Sequence, residues 1–159
     1  MPLLGLDSDN GSEFINQSLY DFCRRNQITF TRARSYKKND NCYVEQKNWS
    51  VVRRTIGYDR FSSPGAFKTL EETYSVLRLY VNFFQPMMKL VSKSRNGAKV
   101  RKVYDTAQTP YQRLLQSGAL STDKKHALAA VYAALNPVLL LKQLRQTVAH
   151  LWTLAERAN

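Results

Sequence analysis

The chain has 159 residues, of which 43% are hydrophobic and 23% charged, a composition typical of globular rather than disordered proteins. Its 24 Lys and Arg residues outnumber the 12 Asp and Glu residues, which gives a formal net charge of +12 at pH 7. An excess of this size favours a polyanionic partner, most often a nucleic acid. Two cysteines are too few for a disulfide framework, so the class of small disulfide-stabilised secreted proteins is excluded.

The sequence carries no signal for secretion or membrane insertion. Its apolar start reaches Asp7 without a basic region or a long apolar segment, so no secretory signal is expected. The longest uncharged stretch, residues 127–141, is interrupted by Asn136-Pro137 and is too short for a bilayer. We therefore expect a cytoplasmic protein with no membrane partner.

The first third of the sequence alternates between strand and helix signals. Leu3–Leu6 is a short apolar run before a turn, and Ile28–Arg34 alternates between apolar or small and polar residues, so both predict strands. Between them, Asn16 or Ser18 can cap a helix. A second helix is predicted from Cys42 onward, with apolar residues at steps of three to five. This order predicts an α/β fold.

Gly57 and Ser62–Gly65 form the clearest break in the chain. We place a boundary there, between a first domain of residues 1–61 and a C-terminal region of residues 66–159. The C-terminal region is predicted to begin with an amphipathic helix that ends before Pro86. The residues expected on its inward face are Phe67, Leu70, Tyr74, Leu77, Val81 and Phe84.

The rest of the C-terminal region is predicted to contain a hairpin and a helical tail. Asn96-Gly97 lies between two runs of strand type, which predicts a β-hairpin over residues 89–104. Residues 121–157 are predicted to be helical on both sides of Asn136-Pro137. The face expected to be buried in the last helix carries Leu141, Leu144, Val148, Leu151 and Ala155.

The most specific motifs are Ser8–Phe14, which contains Asp9-Asn10-Gly11, and Asn41–Asn48, which contains Val44-Glu45. Asp9 and Glu45 are separated by 35 residues. In these motifs and this spacing, residues 3–60 resemble the rear part of the integrase-type catalytic core of retroviral integrases and bacterial insertion-sequence transposases. Two later segments, Asn82–Pro86 and Thr109–Arg113, resemble the C-terminal region of those transposases.

The resemblance implies a partial ribonuclease H-like core in which Asp9 and Glu45 are catalytic residues and ligands of Mg²⁺ or Mn²⁺. Two such ions can stabilise the attacking and leaving oxygens of a phosphodiester, and converging carboxylates hold them. The strand with the family's first catalytic Asp has no counterpart here. We therefore expect a transposase fragment that is inactive alone, with the metal site complete only when the missing N-terminal part is supplied.

Each acidic motif by itself has an ordinary explanation. Asp9-Asn10-Gly11 is a common turn sequence, and Glu45 is equally consistent with an exposed helical acid. The two together at this spacing favour the metal site. Asp7 is the competing position for Asp9; we favour Asp9 because it directly precedes Asn10-Gly11, and we expect Asp7 to face solvent at a strand end.

Basic and amide side chains near the two motifs and in the hairpin are candidate DNA contacts. Family members often carry a basic residue seven positions after the catalytic Glu, where this chain has Val52 followed by Arg53. Each candidate is also consistent with an ordinary exposed side chain. The candidates are Lys37, Lys38, Lys47, Asn48, Arg53, Lys93, Arg95, Lys99, Arg101 and Lys102.

Three functions remain open from the sequence. The first is a truncated transposase acting in DNA integration, with DNA, the missing N-terminal part or a second copy as partner, at the bacterial nucleoid. The second is a non-catalytic remnant that binds nucleic acid or self-associates through its helical faces. The third is a basic globular protein associated with RNA. A zinc site is not expected, because His126 and His150 have no Cys or His at ligand spacing.

Overall fold

In the computed structural model, which describes residues 3–8, 16–37, 40 and 42–156, helices alternate with two small β-sheets. The protein is mixed α/β, as predicted. Its contacts divide it into two units, Met1–Tyr58 and Asp59–Asn159. We refer to them as unit 1 and unit 2 and describe each by itself.

Unit 1 begins with a strand-helix-strand segment. Strands β1 (Gly5–Ser8) and β2 (Thr29–Arg32) pair in parallel, with Gly5 opposite Thr29. Helix α1 (Gln17–Arg25) lies between them in sequence, and the amide of Leu19 donates to Oδ1 of Asn16 at 2.8 Å. Asn16 is therefore the N-cap, one of the two residues predicted for that role.

The first strand starts and ends later than the predicted Leu3–Leu6. The ladder continues through Asp7 and Ser8 because a polar side chain is satisfied within the sheet: Oγ1 of Thr31 donates to Oδ1 of Asp7 at 2.7 Å. The second strand is shorter than the predicted Ile28–Arg34 and leaves both its buried neighbours, Ile28 and Ala33, outside the ladder.

The last part of unit 1 is a continuous helical run of three segments. Helix α2 (Cys42–Lys47) passes into a π-helical segment (Asn48–Arg53) and then into the short α3 (Arg54–Ile56). The amide of Arg54 donates to the carbonyl of Trp49, five residues earlier. The helix predicted from Cys42 is therefore present, but its middle has the wider π turn.

Unit 2 is built on helix α4 (Pro64–Phe84), which packs along helix α7 (Pro137–Thr153). Between them in sequence come strands β3 (Leu90–Asn96) and β4 (Lys99–Tyr104) and helices α5 (Pro110–Gln116) and α6 (Thr122–Ala134). The ends of the unit meet where the amide of Glu156 donates to the carbonyl of Arg60 at 2.9 Å.

Of the residues predicted for the inward face of α4, Leu77 is buried, but the buried stripe is otherwise displaced by about one residue. The buried residues are Ala66, Thr69, Thr73, Val76, Leu77 and Phe83, whereas Phe67 is 62% exposed and Tyr74 is 39% exposed. Small side chains allow α7 to come close, and the buried hydroxyls cost little because they are satisfied. Oγ1 of Thr73 donates to the carbonyl of Thr69, and Oγ1 of Thr69 to that of Gly65.

Helix α7 buries Leu140, Leu144, Val148 and Leu151. Leu144, Val148 and Leu151 were predicted, and Leu140 occupies the position expected for Leu141 because the packing face of α7 begins one residue earlier. Helix α7 meets α6 at a bend of 72° at the predicted Asn136-Pro137 break. Within the residues that the structure describes, no single helix is both long and apolar enough to cross a bilayer.

Candidate functional site

Of the two predicted metal ligands, the structure describes only Glu45. Asp9 lies outside the described residues, although the residue before it, Ser8, ends β1. Glu45 is exposed in the first turn of α2. The described part of the chain contains no group of three or more His, Cys, Asp and Glu side chains that could hold a metal ion. Carboxylate oxygens suit Mg²⁺ chemically, so Glu45 fits one position of such a site and not a complete ligand set.

The competing acid, Asp7, lies within β1 rather than at its end. Its side chain is exposed, as predicted, but it accepts the hydrogen bond from Thr31 described above. The neighbouring Ser8 is buried, and its Oγ has no hydrogen-bond partner among the described residues. The Asp7 carboxylate is therefore engaged in a hydrogen bond between β1 and β2.

The loop after β2 is closed by an ion pair. Nε and Nη2 of Arg34 donate to the two carboxylate oxygens of Asp40 at 2.8 and 3.0 Å, and the amide of Arg34 donates to the same carboxylate at 3.2 Å. These hydrogen bonds lower the pKa of Asp40 to about 2 and raise the pKa of Arg34. The loop carries Lys37, whose side chain is exposed; Lys38 lies outside the described residues.

The helical run after Glu45 holds Arg53 by an aromatic contact. Its guanidinium carbon lies 4.8 Å from the centre of the Tyr58 ring, and that of Arg54 lies 5.5 Å from the Trp49 ring. A residue in a π turn advances the helix by less than the 100° of an α-helix. Arg53 lies eight positions after Glu45, and the π turn therefore brings it round the helix axis towards the face that carries Glu45. A regular α-helix, as expected from the sequence, would have displaced Arg53 from that face.

The two other predicted contacts on this run are also located. Lys47 ends α2 and Asn48 begins the π-helical segment, and both side chains are exposed. Exposure leaves both side chains accessible to a ligand of unit 1.

The hairpin predicted over residues 89–104 is present in unit 2. Strands β3 and β4 pair antiparallel with Asn96 opposite Lys99, and the loop between them is Gly97-Ala98. Gly97 has a φ of 59°, which suits a glycine at the first position of a tight hairpin turn. Every residue of both strands is exposed, so neither face of the hairpin packs on a core.

The hairpin carries five cations distributed over both faces. Cross-strand partners share a face, and the register therefore defines two sets. The serine face consists of Ser92, Ser94, Asn96, Lys99, Arg101 and Val103. The lysine-pair face consists of Leu90, Lys93, Arg95, Val100, Lys102 and Tyr104. On the latter, Lys93 stands directly opposite Lys102, an arrangement of like charges that destabilises a strand pair.

The base of the hairpin is held by Arg113 of α5. Its Nη1 and Nη2 donate to the carboxylate of Asp105 at 2.6 and 3.1 Å, and Nη2 also donates to the carbonyl of Met87 at 2.7 Å. The amide of Lys89 donates to Asp105 as well, at 2.6 Å. The hydrogen bond from Arg113, followed by that from Lys89, lowers the pKa of Asp105. One arginine thus connects both ends of the hairpin to a helix.

Helix α5 is fixed by residues of the segment Thr109–Arg113. Thr109 and Gln112 form a reciprocal N-terminal cap, with Pro110 at the first helical position. The centre of the Tyr111 ring lies 5.1 Å from the centre of the Phe83 ring of α4 and 5.0 Å from the centre of the Tyr132 ring of α6. The Asn82–Pro86 and Thr109–Arg113 segments therefore meet in space and orient the hairpin.

The predicted site residues fall into two groups. In unit 2 the structure brings together Lys93, Arg95, Lys99, Arg101 and Lys102 on one hairpin, whereas Glu45, Lys47, Asn48, Arg53 and Lys37 lie on the helical run and loop of unit 1. Sequence reasoning missed Asp40 and Asp105 and did not predict the ion pairs that they form with Arg34 and Arg113. Their opposite charges at separations of six and eight residues were the only signal, and that signal is common in surface loops.

Comparison with known proteins gives one informative similarity. The chain is 46% identical over 112 residues to the uncharacterized protein y4rM of Sinorhizobium fredii (strain NBRC 101917 / NGR234). The matched segment is 70% of this chain and 32% of that protein, so the chain spans about a third of its relative. A segment of 112 residues includes residues 48–112 wherever it begins in this chain, and the hairpin therefore lies inside it. No protein-family model matches the chain, and no solved structure matches it.

Proposed function

We propose that this chain is part of an integrase-type DNA transposase and that its hairpin binds the DNA backbone. The observation that carries the proposal is the hairpin itself, whose strands have five cations, no acid and only exposed residues. None of the five has an ion-pair partner among the described residues. Cations arranged in this way are typical of surfaces that neutralise phosphates without reading sequence.

The energetics of the hairpin support an anionic partner. A two-stranded hairpin without a packed face is only marginally stable in water, and the Lys93–Lys102 pair adds repulsion. Phosphates placed beside these ammonium groups would remove that repulsion. The Arg113 anchor at its base keeps the cations together before any partner binds.

The catalytic part of the proposal rests on unit 1. Its strand-helix-strand order puts the carboxyl ends of two parallel strands at one edge, and Asp9 directly follows the first of them. Parallel sheets normally have both faces covered, whereas most residues of β1 and β2 are exposed within the described part of the chain. This supports a ribonuclease H-like core of which unit 1 is a portion. Asp9 and Glu45 would hold Mg²⁺, which would stabilise the charge that develops on phosphodiester oxygens.

Equilibrium DNA binding at several salt concentrations tests the first part. For the full chain we expect log K to fall linearly with log salt, and replacing all five hairpin cations by Gln should reduce the slope by roughly four to five. The matched control, Lys124→Gln with Lys125→Gln on α6, removes charge elsewhere in unit 2 and should leave most of the slope. Equal slopes for the chain and the hairpin variant would refute DNA binding by the hairpin.

Nicking of supercoiled plasmid in Mg²⁺ or Mn²⁺ tests the catalytic part. We expect no nicking by this chain, because two carboxylates do not complete a two-metal site. Nicking by the chain that is lost in Glu45→Gln would contradict this inactivity and would assign Glu45 to the metal site. The proposal would locate the protein at the bacterial nucleoid, where its DNA lies.

A second function, self-association of a non-catalytic remnant, is favoured by the outer face of α4. Phe67 and Tyr74 are large, apolar and exposed there. Sedimentation velocity over a range of concentrations tests it: a dimer that Phe67→Ser dissociates would support self-association, and a monomer at all concentrations would exclude it.

A further inference from the structure

The distribution of cations over both faces of the hairpin restricts the kind of nucleic acid that it fits. A single strand, or the outside of a duplex, presents phosphates to one side of a ribbon and would favour cations on one face. Here the serine face carries Lys99 and Arg101, and the lysine-pair face carries Lys93, Arg95 and Lys102. A slot with an anionic wall on each side matches this arrangement.

The dimensions of the hairpin select among such slots. A sheet with side chains on both faces is about 10 Å thick, judged from the spacing of packed sheets. The major groove of B-form DNA is about 12 Å wide and about 8.5 Å deep, whereas its minor groove is about 6 Å wide. The major groove of A-form RNA is deep and too narrow for side chains to read. The major groove of duplex DNA is therefore the slot that admits this hairpin.

The positions of the cations along the hairpin agree with entry by the tip. Lys93 and Lys102 are cross-strand partners three residues from the turn pair Asn96–Lys99. At about 3.4 Å per residue they lie about 10 Å from the tip, near the depth at which the phosphates border the groove. Asn96 at the tip would then lie nearest the base edges, where its amide group can form hydrogen bonds.

The geometry points to insertion of the hairpin, turn first, into the major groove of duplex DNA, with its two faces toward the two phosphate strands. This inference rests on the proposed function, DNA binding by the same hairpin, and adds the form of the nucleic acid and the mode of entry. The Arg113 anchor permits the insertion because it holds the base of the hairpin and leaves both strands exposed.

The test compares two variants of the full chain that each lose two charges from one face. They are Lys99→Gln with Arg101→Gln, and Lys93→Gln with Lys102→Gln. Each is expected to reduce the salt slope of duplex binding by about two, since each face would lose two phosphate contacts. Circular dichroism and thermal melting establish that the variants are folded, and Lys124→Gln with Lys125→Gln serves again as the charge control.

Competition defines the groove. Methyl green, which occupies the major groove, should displace the chain from duplex DNA, and netropsin, which occupies the minor groove, should not. Single-stranded DNA and duplex RNA of the same length should bind at least tenfold more weakly.

The possible results separate this inference from the proposed function. A slope reduced by only one of the face variants, displacement by netropsin alone, or equal binding of single strands would overturn groove insertion while DNA binding by the hairpin stands. Unchanged DNA binding in both face variants, with dimers formed through the hairpin edges, would refute both DNA binding by the hairpin and groove insertion. Absence of salt-dependent DNA binding would refute both.

Discussion

Two arginines, Arg34 and Arg113, each close a loop through one aspartate. Arg113 also connects two separate segments, because its guanidinium donates to Asp105 and to the Met87 carbonyl at once. The planar fork of arginine is suited to this double contact, and lysine is not. This one side chain therefore helps to set the orientation of the hairpin relative to α5, together with the backbone hydrogen bonds between Met87 and Gln108.

Replacing Arg113 by Lys should loosen the base of the hairpin without unfolding unit 2. Charge is kept, but the paired hydrogen bonds to Asp105 are lost, so amide exchange at Met87, Lys89 and Gln108 should accelerate on the order of tenfold. Hydrogen exchange measured by NMR checks this. Arg78→Lys on the exposed side of α4 is the control, and unchanged exchange in Arg113→Lys would contradict the role of the anchor.

The Arg34–Asp40 pair predicts a pH dependence at acid pH. The folded pKa of Asp40, about 2, lies below its ordinary value of 3.8. The pairing therefore stabilises the loop fully above about pH 4, and this contribution is lost as the pH falls through about 2. A carboxyl NMR titration should give a midpoint near 2 for Asp40, and Arg34→Gln should return it towards 3.8.

Replacing Arg32, two residues before Arg34, provides the control for that titration. Arg32→Gln removes a positive charge two residues from Arg34 in the sequence but none of the hydrogen bonds to Asp40. It should therefore leave the midpoint close to 2. A similar rise in both variants would show that general charge, not the direct pair, sets the pKa.

At the scale of elements, the helices and the hairpin follow local patterns, while the faces that they bury do not. The repeat from Phe67 to Phe84 correctly predicts a helix. It does not select the buried stripe, because an adjacent stripe of Ala66, Thr69 and Thr73 is small enough for close approach of α7 and satisfies its own hydroxyls. The π turn between Asn48 and Arg53 could likewise not be predicted from the sequence, since its residues have no distinctive composition.

Two alanine substitutions measure which stripe of α4 is buried. Phe83, which belongs only to the observed stripe, is 9% exposed, so Phe83→Ala should lower the free energy of unfolding by about 3–5 kcal/mol. Phe67→Ala should change it by no more than about 0.5 kcal/mol, because that side chain lies mostly in water. Urea denaturation decides between the stripes, and a larger loss for Phe67→Ala would restore the face predicted from the sequence.

At the scale of the whole molecule, the cations of the hairpin and the carboxylates of the proposed metal site belong to different units. Unit 2 has its own α4–α7 core and the complete hairpin. The proposed DNA binding by the hairpin and the proposed metal chemistry at Glu45 can therefore be tested separately.

A fragment of residues 59–159 should consequently fold and bind duplex DNA with nearly the salt slope of the full chain. Its core supplies the packing, and on the proposed function its five hairpin cations would supply most of the phosphate contacts. Circular dichroism and fluorescence anisotropy provide the measurements. A folded fragment with little remaining salt dependence would transfer the DNA contacts to residues 1–58.

The sequence by itself determined the features that depend on near neighbours: a helix cap at Asn16 or Ser18, a hairpin that turns near Gly97, the break at Asn136-Pro137 and the accumulation of positive charge. Such features follow from the conformational preferences of a few adjacent residues. Only the tertiary structure decided which stripe of α4 is buried, that Arg113 anchors the hairpin, and that hairpin cations lie on both faces. These depend on strand register and helix packing, where several arrangements satisfy the same local pattern and the contacts between distant segments select one.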